Sequence, residues 1–197
     1  MNETNTSGWT VLDTAHEALR DIVRAVPAPD LGRPTPCADW NVTQVIQHAA
    51  GDQLAYASSI TGEPGPDFNP FDPSGKLDGT PMDLLDPCVS ACAAAWATIG
   101  GDADQVPVPV PPGSLKPETG AGAAALDAAV HAWDIAVATG QASPLTPDLA
   151  RTLLDVAVQI VEPLREYGAY AAAIEHTGTD DVAALLRYLG RDPRWTA

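Results

Sequence analysis

A carboxylate and an imidazole lie four residues apart in an alanine-rich segment, residues 124–140, that contains no proline. The segment predicts a helix closed by Gly140. On that helix Asp127 and His131 share one face, about one turn apart, so both side chains can reach a single point. They would supply two of the three protein ligands of an open metal site of the His₂-carboxylate kind. An ordinary ion pair on a solvated helix face is the alternative, and the spacing alone does not separate the two interpretations.

The second histidine of such a site must come from another part of the chain. His48 lies in the middle of a helix predicted to begin near Asn41, with Asn41 or Asp39 as the N-cap. Val45, three residues before His48, belongs to the apolar face of this helix, so His48 can point into a bundle. A histidine in the core or on the surface, without a metal, is the alternative at this position.

Helical periodicity recurs along the chain and predicts an all-α fold. Apolar stripes lie in residues 9–26, from 41 onward, and in 82–99, 124–140, 146–167 and 182–189. We expect a bundle of four long helices with a short extra C-terminal helix. Residues 62–82 are rich in proline and glycine and predict a long loop between helices 2 and 3, with two phenylalanines that favour a packed lid. Residues 105–112 alternate valine with proline, which is typical of polyproline-like chain or an edge strand.

Composition excludes several classes of function. The formal net charge of −16, from 26 acidic and 10 basic side chains among 197 residues, argues against binding to nucleic acid or to an anionic membrane. Three cysteines without a CxxC pair indicate a reducing compartment. The amino terminus is polar, and no run approaches the ~18 apolar residues of a membrane span. We therefore expect a cytoplasmic protein.

Three segments of the chain resemble one known family. They are Thr35 to Val42 leading to His48, Val130 to Gln141, and Leu189 to Trp195. They resemble the actinobacterial proteins that carry the metal-binding domain of mycothiol-dependent maleylpyruvate isomerase, which belong to the DinB-like helical bundles. The resemblance implies one DinB-like four-helix bundle domain over residues 1–197, with its core at about 9–195.

The resemblance also implies a divalent metal inside the bundle, held by His48, Asp127 and His131. The isomerase has glutamate at the carboxylate position, one methylene longer than the aspartate of this chain. We expect zinc, with nickel as the alternative. Three protein ligands leave a fourth position open for water or a thiolate. The family pattern implies mycothiol or a similar small thiol as the co-substrate.

Four further residues are candidates for orienting the ligands or lining the pocket. Gln44 and Asp52 flank His48 at one turn to either side. Asp134 follows His131 by three residues and is a candidate to orient it or to replace it as a ligand. Cys37 precedes the second helix and either lines the pocket or is a buried structural thiol.

Our first functional hypothesis is a metal- and thiol-dependent transferase or isomerase that acts on a small electrophilic molecule. A non-catalytic bundle that binds a small molecule or a partner protein is one alternative, and a metal-dependent hydrolase that uses bound water is another. The terminal segment places Arg191 or Arg194 near an anionic substrate, or it simply caps the surface. Spare apolar helix faces would also suit a homodimer.

Overall fold

The computed structural model describes residues 6–196, and its regular secondary structure is almost all helical. The elements are α1 (Thr10–Arg24), a 3₁₀ helix (Ala28–Gly32), α2 (Val42–Thr61), α3 (Pro81–Trp96), β1 (Val106–Pro107), β2 (Ser114–Leu115), α4 (Pro117–Ala138), α5 (Pro147–Glu166) and α6 (Asp181–Tyr188). The expected domain span also includes residues 1–5 and 197, which lie outside the described residues. None of the helices within residues 6–196 is long and apolar enough to cross a membrane.

Four long helices, α1 to α4, form the bundle. Helix α2 packs along α3 and α1 packs along α4, and α2 also contacts α4. The predicted all-α bundle is confirmed. The helix predicted over residues 146–167 is α5, which has 20 residues, packs on α4 outside these four helices and carries the short α6.

Helix α4 is central because it is apolar on nearly all sides. Of its 22 residues, 18 are buried, and α1, α2 and α5 all pack on it. Its residues are mostly small. At Gly122, for example, an added Cβ would lie 2.5 Å from Val156 Cγ2 of α5. Neighbouring helices therefore approach α4 closely, and side chains of α2 reach its backbone.

Local signals set both ends of α2. The Asn41 side chain accepts a hydrogen bond from the Gln44 amide at 3.0 Å, and Gln44 Oε1 accepts one from the Asn41 amide at 3.0 Å. This capping box makes Asn41, and not Asp39, the N-cap. The helix ends at Gly62, whose φ of 75° is a left-handed conformation that glycine adopts without strain.

The segment after α2, residues 62–80, is fixed along that helix, and we call it the strap. Gln44 Nε2 donates to the Pro73 carbonyl at 3.0 Å, and Gln47 Nε2 donates to the Lys76 carbonyl at 2.8 Å. Gln47 Oε1 in turn accepts a hydrogen bond from the Gly75 amide at 2.8 Å. The expected packed lid is therefore held by amide side chains that project from successive turns of α2.

Gly51 provides the space for the strap. A Cβ added to Gly51 would lie 2.7 Å from Pro70 Cβ and 3.2 Å from Phe68 Cε2. The proline ring is rigid, so it cannot yield as a long flexible side chain would.

The segment in which valine and proline alternate contributes a short strand. Its residues Val106–Pro107 pair antiparallel with Ser114–Leu115 in a two-stranded sheet.

We predict that Gly51→Ala loosens the strap. Overpacking costs about 1–3 kcal/mol, which exceeds the roughly 0.5–1 kcal/mol that alanine gains over glycine in a helix. The peptide bond after Lys76, whose carbonyl is bound by Gln47, should become more sensitive to trypsin, as measured by mass spectrometry of the fragments. Gly32→Ala, where no atom lies within 4 Å of the added Cβ, is the matched control. Equal cleavage rates in both variants would contradict the role assigned to Gly51.

Candidate metal centre

The three predicted ligands lie at the interface of α2 and α4. His48 comes from α2, and Asp127 and His131 come from consecutive turns of α4. Asp127 Oδ1 is 3.4 Å from His131 Nε2 and 3.7 Å from His48 Nε2, and these three atoms all lie within 4.8 Å of one another. Both histidines are buried, with 7% and 8% of their surface exposed. The structure thus brings the three side chains together, and their binding of a metal stays a prediction.

In each imidazole, a hydrogen bond at Nδ1 determines that Nε2 is the nitrogen without a hydrogen. His48 Nδ1 is 2.9 Å from the Pro70 carbonyl of the strap, and His131 Nδ1 is 3.0 Å from Asp134 Oδ2. A carbonyl and a carboxylate only accept, so each Nδ1 carries the hydrogen and donates it. Each Nε2 therefore directs a lone pair toward Asp127. This is the arrangement in which outer partners orient metal-ligating histidines.

The spacing of these atoms fits a small divalent cation. Four ligands arranged tetrahedrally at about 2.1 Å from a zinc ion are separated by roughly 3.4 Å. The observed separations of 3.4 and 3.7 Å agree with that value. They are too long for direct hydrogen bonds. The donor set, two imidazoles and one carboxylate, is also one that zinc uses in catalytic sites.

Asp127 is held by an amide that the sequence analysis did not identify. Gln53 Nε2 donates to Asp127 Oδ2 at 3.0 Å and to the Ala124 carbonyl at 3.1 Å. Oδ2 is thereby occupied, and Oδ1 is left facing the imidazoles. The available signal in the sequence was a polar residue in register with Ile46 on the inward stripe of α2.

The charge balance around Asp127 also favours a cation. Burial raises the pKa of the Asp127 carboxyl well above its usual value, and the neighbouring carboxylate of Asp52 raises it further. Burial lowers the pKa of His131 to about 4, so this imidazole is neutral near pH 7. Within residues 6–196, no lysine or arginine contacts Asp127. The site therefore lacks the positive charge that a buried carboxylate requires.

Of the two residues expected to flank His48, Asp52 lies beside its imidazole and Gln44 does not bind it directly. Asp52 Oδ2 lies 3.7 Å from His48 Nε2, on the side of the imidazole that faces Asp127. Gln44 does not hydrogen-bond to His48, because both ends of its amide bind elsewhere, in the capping box and on the strap. Its connection with the site is indirect, through the strap that supplies the partner of His48 Nδ1.

Asp134 and Cys37 lie behind His131. Asp134 is fully buried, and Cys37 Sγ donates to its Oδ2 at 3.2 Å. Burial raises the pKa of the Cys37 thiol, and the charge of Asp134 raises it further, so this thiol is protonated. Arg191 donates from Nε to Asp134 Oδ1 at 2.9 Å and from Nη2 to Oδ2 at 2.8 Å.

A second group of potential ligands, Cys37, His131 and Asp134, also lies close together. A positive charge is already present there, because the Arg191 guanidinium binds both oxygens of Asp134 and approaches Cys37 Sγ at 3.6 Å. Burial opposes ionisation of Asp134, but Arg191 and the hydrogen bond from His131 outweigh it and hold the pKa of this carboxyl well below its usual range. This second group therefore has no need of a metal ion.

Two aromatic rings flank His48 beside the strap. The Trp40 ring centroid is 4.7 Å from that of His48, and the Phe71 centroid is 5.5 Å away. Phe71 belongs to the strap and is 65% exposed. An exposed aromatic side chain next to the candidate ligands provides apolar surface for a small organic molecule.

His16 completes a chain of hydrogen bonds that ends at Asp127. The Gln53 amide nitrogen already donates to two acceptors, so its oxygen accepts from His16 Nε2 at 2.8 Å. Nε2 of His16 therefore carries the hydrogen, and Nδ1 has no hydrogen-bond partner among the described residues. Burial lowers the pKa of His16 to about 4, although the hydrogen bond to Gln53 acts in the opposite direction.

We predict that this buried histidine makes stability depend on pH. Between its unfolded pKa of about 6.5 and its folded pKa of about 4, the unfolded chain binds the extra proton. The contribution of His16 is therefore complete above pH 6.5 and is lost as the pH falls toward 4. Between pH 7.5 and 5.5, the free energy of unfolding should fall by about 1 kcal/mol more in the wild type than in His16→Gln. Urea unfolding at both values measures the difference, and equal falls would contradict the buried neutral state.

Comparison with known proteins relates this geometry to a family. The family model described as the mycothiol maleylpyruvate isomerase N-terminal domain matches residues 12–136. The matched region contains His48, Asp127 and His131 and ends before α5 and α6.

Two curated relatives come from Mycobacterium tuberculosis, the uncharacterized proteins MT0763 of strain CDC 1551 and Rv0738 of strain H37Rv. Each is 32% identical to this chain over 155 residues, which cover 76% of this chain and 76% of the relative. No solved structure matches the chain at a significant level. On the family match and these two relatives, the chain belongs to the mycothiol maleylpyruvate isomerase N-terminal domain family.

Proposed function

We propose that the protein binds a divalent metal through His48 Nε2, Asp127 Oδ1 and His131 Nε2, and that it uses the metal to activate a small thiol. The observation that carries the proposal is the convergence of three lone-pair donors in a largely buried site, where no lysine or arginine of residues 6–196 contacts the carboxylate. Both imidazoles have their other nitrogen engaged as a donor, which leaves Nε2 to bind the metal.

The donor set favours zinc, with nickel as the second candidate. Imidazole and carboxylate ligands suit both ions, and three protein ligands are the number found in catalytic zinc sites. A divalent metal in such a site lowers the pKa of a thiol or water at the open position and so supplies a nucleophile at neutral pH. Asp52 adds a second carboxylate beside His48, which increases the attraction of the site for a divalent cation.

We infer that the nucleophile is a thiol of the mycothiol type and that the reaction is a transfer to, or an isomerisation of, a small electrophilic molecule. The family description, which names mycothiol and an isomerase, supports this choice over hydrolysis. The protein's own contribution is positional. Pro70 and Asp134 hold the imidazoles, Gln53 holds the carboxylate, and Trp40 and Phe71 provide apolar surface beside them.

The metal site is tested by elemental analysis of untagged protein purified without chelator. We expect about one equivalent of a divalent metal in the wild type and little in His48→Ala or Asp127→Ala. Metal held 100-fold above its Kd should raise the free energy of unfolding by about 2.7 kcal/mol, and a chelator should reverse this increase.

His176→Ala is the matched control for these variants, because His176 lies between α5 and α6 and is not part of the cluster. It should retain metal at the wild-type level. Absence of metal from the wild type, persisting after incubation with Zn²⁺ and Ni²⁺, would overturn the proposal.

The activity is tested with mycothiol and a panel of small electrophiles, with loss of free thiol or isomerisation of the electrophile as the readout. We expect turnover by the metal-loaded wild type and at least a 100-fold loss in Asp127→Ala. Turnover without added thiol would instead indicate a hydrolase. Metal binding without any turnover would indicate a bundle that binds its ligand without catalysis.

A further inference from the structure

Arg191 connects the last segment of the chain to the candidate metal centre. Its guanidinium binds both oxygens of Asp134, at 2.9 Å and 2.8 Å, and Asp134 Oδ2 accepts the hydrogen bond of His131 Nδ1 at 3.0 Å. A bidentate pair of this kind fixes the plane of the carboxylate as well as its position. The orientation of the His131 ring therefore depends on a residue that lies 57 positions away from Asp134.

We propose that Arg191 is a positioning residue: by fixing Asp134 it orients His131, and it thereby sets the affinity of the site for its metal. The inference rests on the proposed function, because it assumes that His131 is a ligand. It goes further by assigning a role in the site to the segment that follows α6, outside the region that the family model covers.

Backbone contacts at the end of α6 hold Arg191 in this position. The Arg191 amide donates to the Leu186 carbonyl at 2.8 Å, across the end of α6. Gly190 makes the turn with a φ of 79°, and a Cβ there would lie 2.8 Å from Ala171 Cβ and 2.9 Å from the Ala172 carbonyl oxygen. Leu186 is itself fully buried. The backbone at the base of Arg191 is thus anchored before its side chain reaches Asp134.

Charge explains why the position requires arginine. Asp134 has no exposed surface, and its other hydrogen-bond donors are the neutral groups of Cys37 and His131. A buried carboxylate without a cation is strongly unfavourable. Lysine would supply the charge, but it has no planar fork and cannot bind both oxygens in the same geometry.

The test compares metal affinities of Arg191 variants with those of a matched arginine. Kd for Zn²⁺, measured by competition with a chromophoric chelator, should rise about 10- to 100-fold in Arg191→Gln. Arg191→Lys should show a smaller increase, because it keeps the charge. Arg194→Gln is the control: Arg194 lies three residues further along the same segment, with a side chain that is 83% exposed. It should bind Zn²⁺ with the wild-type Kd.

A double-mutant cycle separates positioning from a general structural role. If Arg191 acts through Asp134, then Arg191→Gln should weaken Zn²⁺ binding in the wild type and have little further effect in an Asp134→Asn background. The visible spectrum of the Co²⁺-loaded protein should change in Arg191→Gln and stay unchanged in Arg194→Gln, because the bands report ligand geometry. Should Arg191→Gln fail to fold, Arg191→Lys provides the same comparison.

Four outcomes would overturn the inference. An unchanged Kd in Arg191→Gln, with metal still bound by the wild type, would overturn it and leave the proposed function intact. An equal loss in Arg194→Gln, or an equal effect of Arg191→Gln with and without Asp134, would show that the segment acts only on general stability. Failure of the wild type to bind any divalent metal would overturn both the inference and the proposed function.

Discussion

One electrostatic constraint governs the candidate site: the Asp127 carboxylate lies largely buried between two helices, and no lysine or arginine within residues 6–196 contacts it. Asp127 satisfies its Oδ2 with the Gln53 amide, but its Oδ1 faces two imidazole lone pairs. The negative charge on Oδ1 and the two lone pairs repel one another unless a cation or a proton lies between them. Burial raises the pKa of the Asp127 carboxyl well above its usual value, and the neighbouring carboxylate of Asp52 raises it further. A divalent metal at the proposed site would supply the missing positive charge.

Helix α4 carries two carboxylates in its packed interior, the fully buried Asp134 and the nearly buried Asp127, and their surroundings differ. Asp134 has a bidentate arginine, and the pKa of its carboxyl is held low. It is thus a permanent anion that can orient His131. Asp127, two turns earlier, has an amide in place of the arginine, and its pKa is raised. No lysine or arginine of residues 6–196 offsets its negative charge by direct contact. The two aspartates differ in pKa because the neighbouring elements bring different partners to their carboxyl groups.

Two segments outside α2 and α4 help to hold the two histidines in place. The strap supplies the Pro70 carbonyl to His48, and it lies along α2 because Gly51 leaves room for it. The segment after α6 supplies Arg191 to Asp134, and through it to His131. The core of the bundle places the three side chains of the candidate site, while these two segments contribute hydrogen bonds that hold the imidazole rings in position. Sites that need defined ligand geometry are commonly built in this way.

The sequence by itself determined the helices, the long loop and the pair Asp127 and His131, because these depend on periodicity and spacing along a single stretch of chain. It also indicated His48 as the partner, since the inward stripe of α2 includes it. Only the tertiary structure decided that Gln44 holds the strap, that Gln53 holds Asp127 and that Arg191 reaches Asp134. It also decided that α5 packs outside the bundle. Contacts between distant segments depend on how whole helices pack, and no local pattern in the chain specifies them.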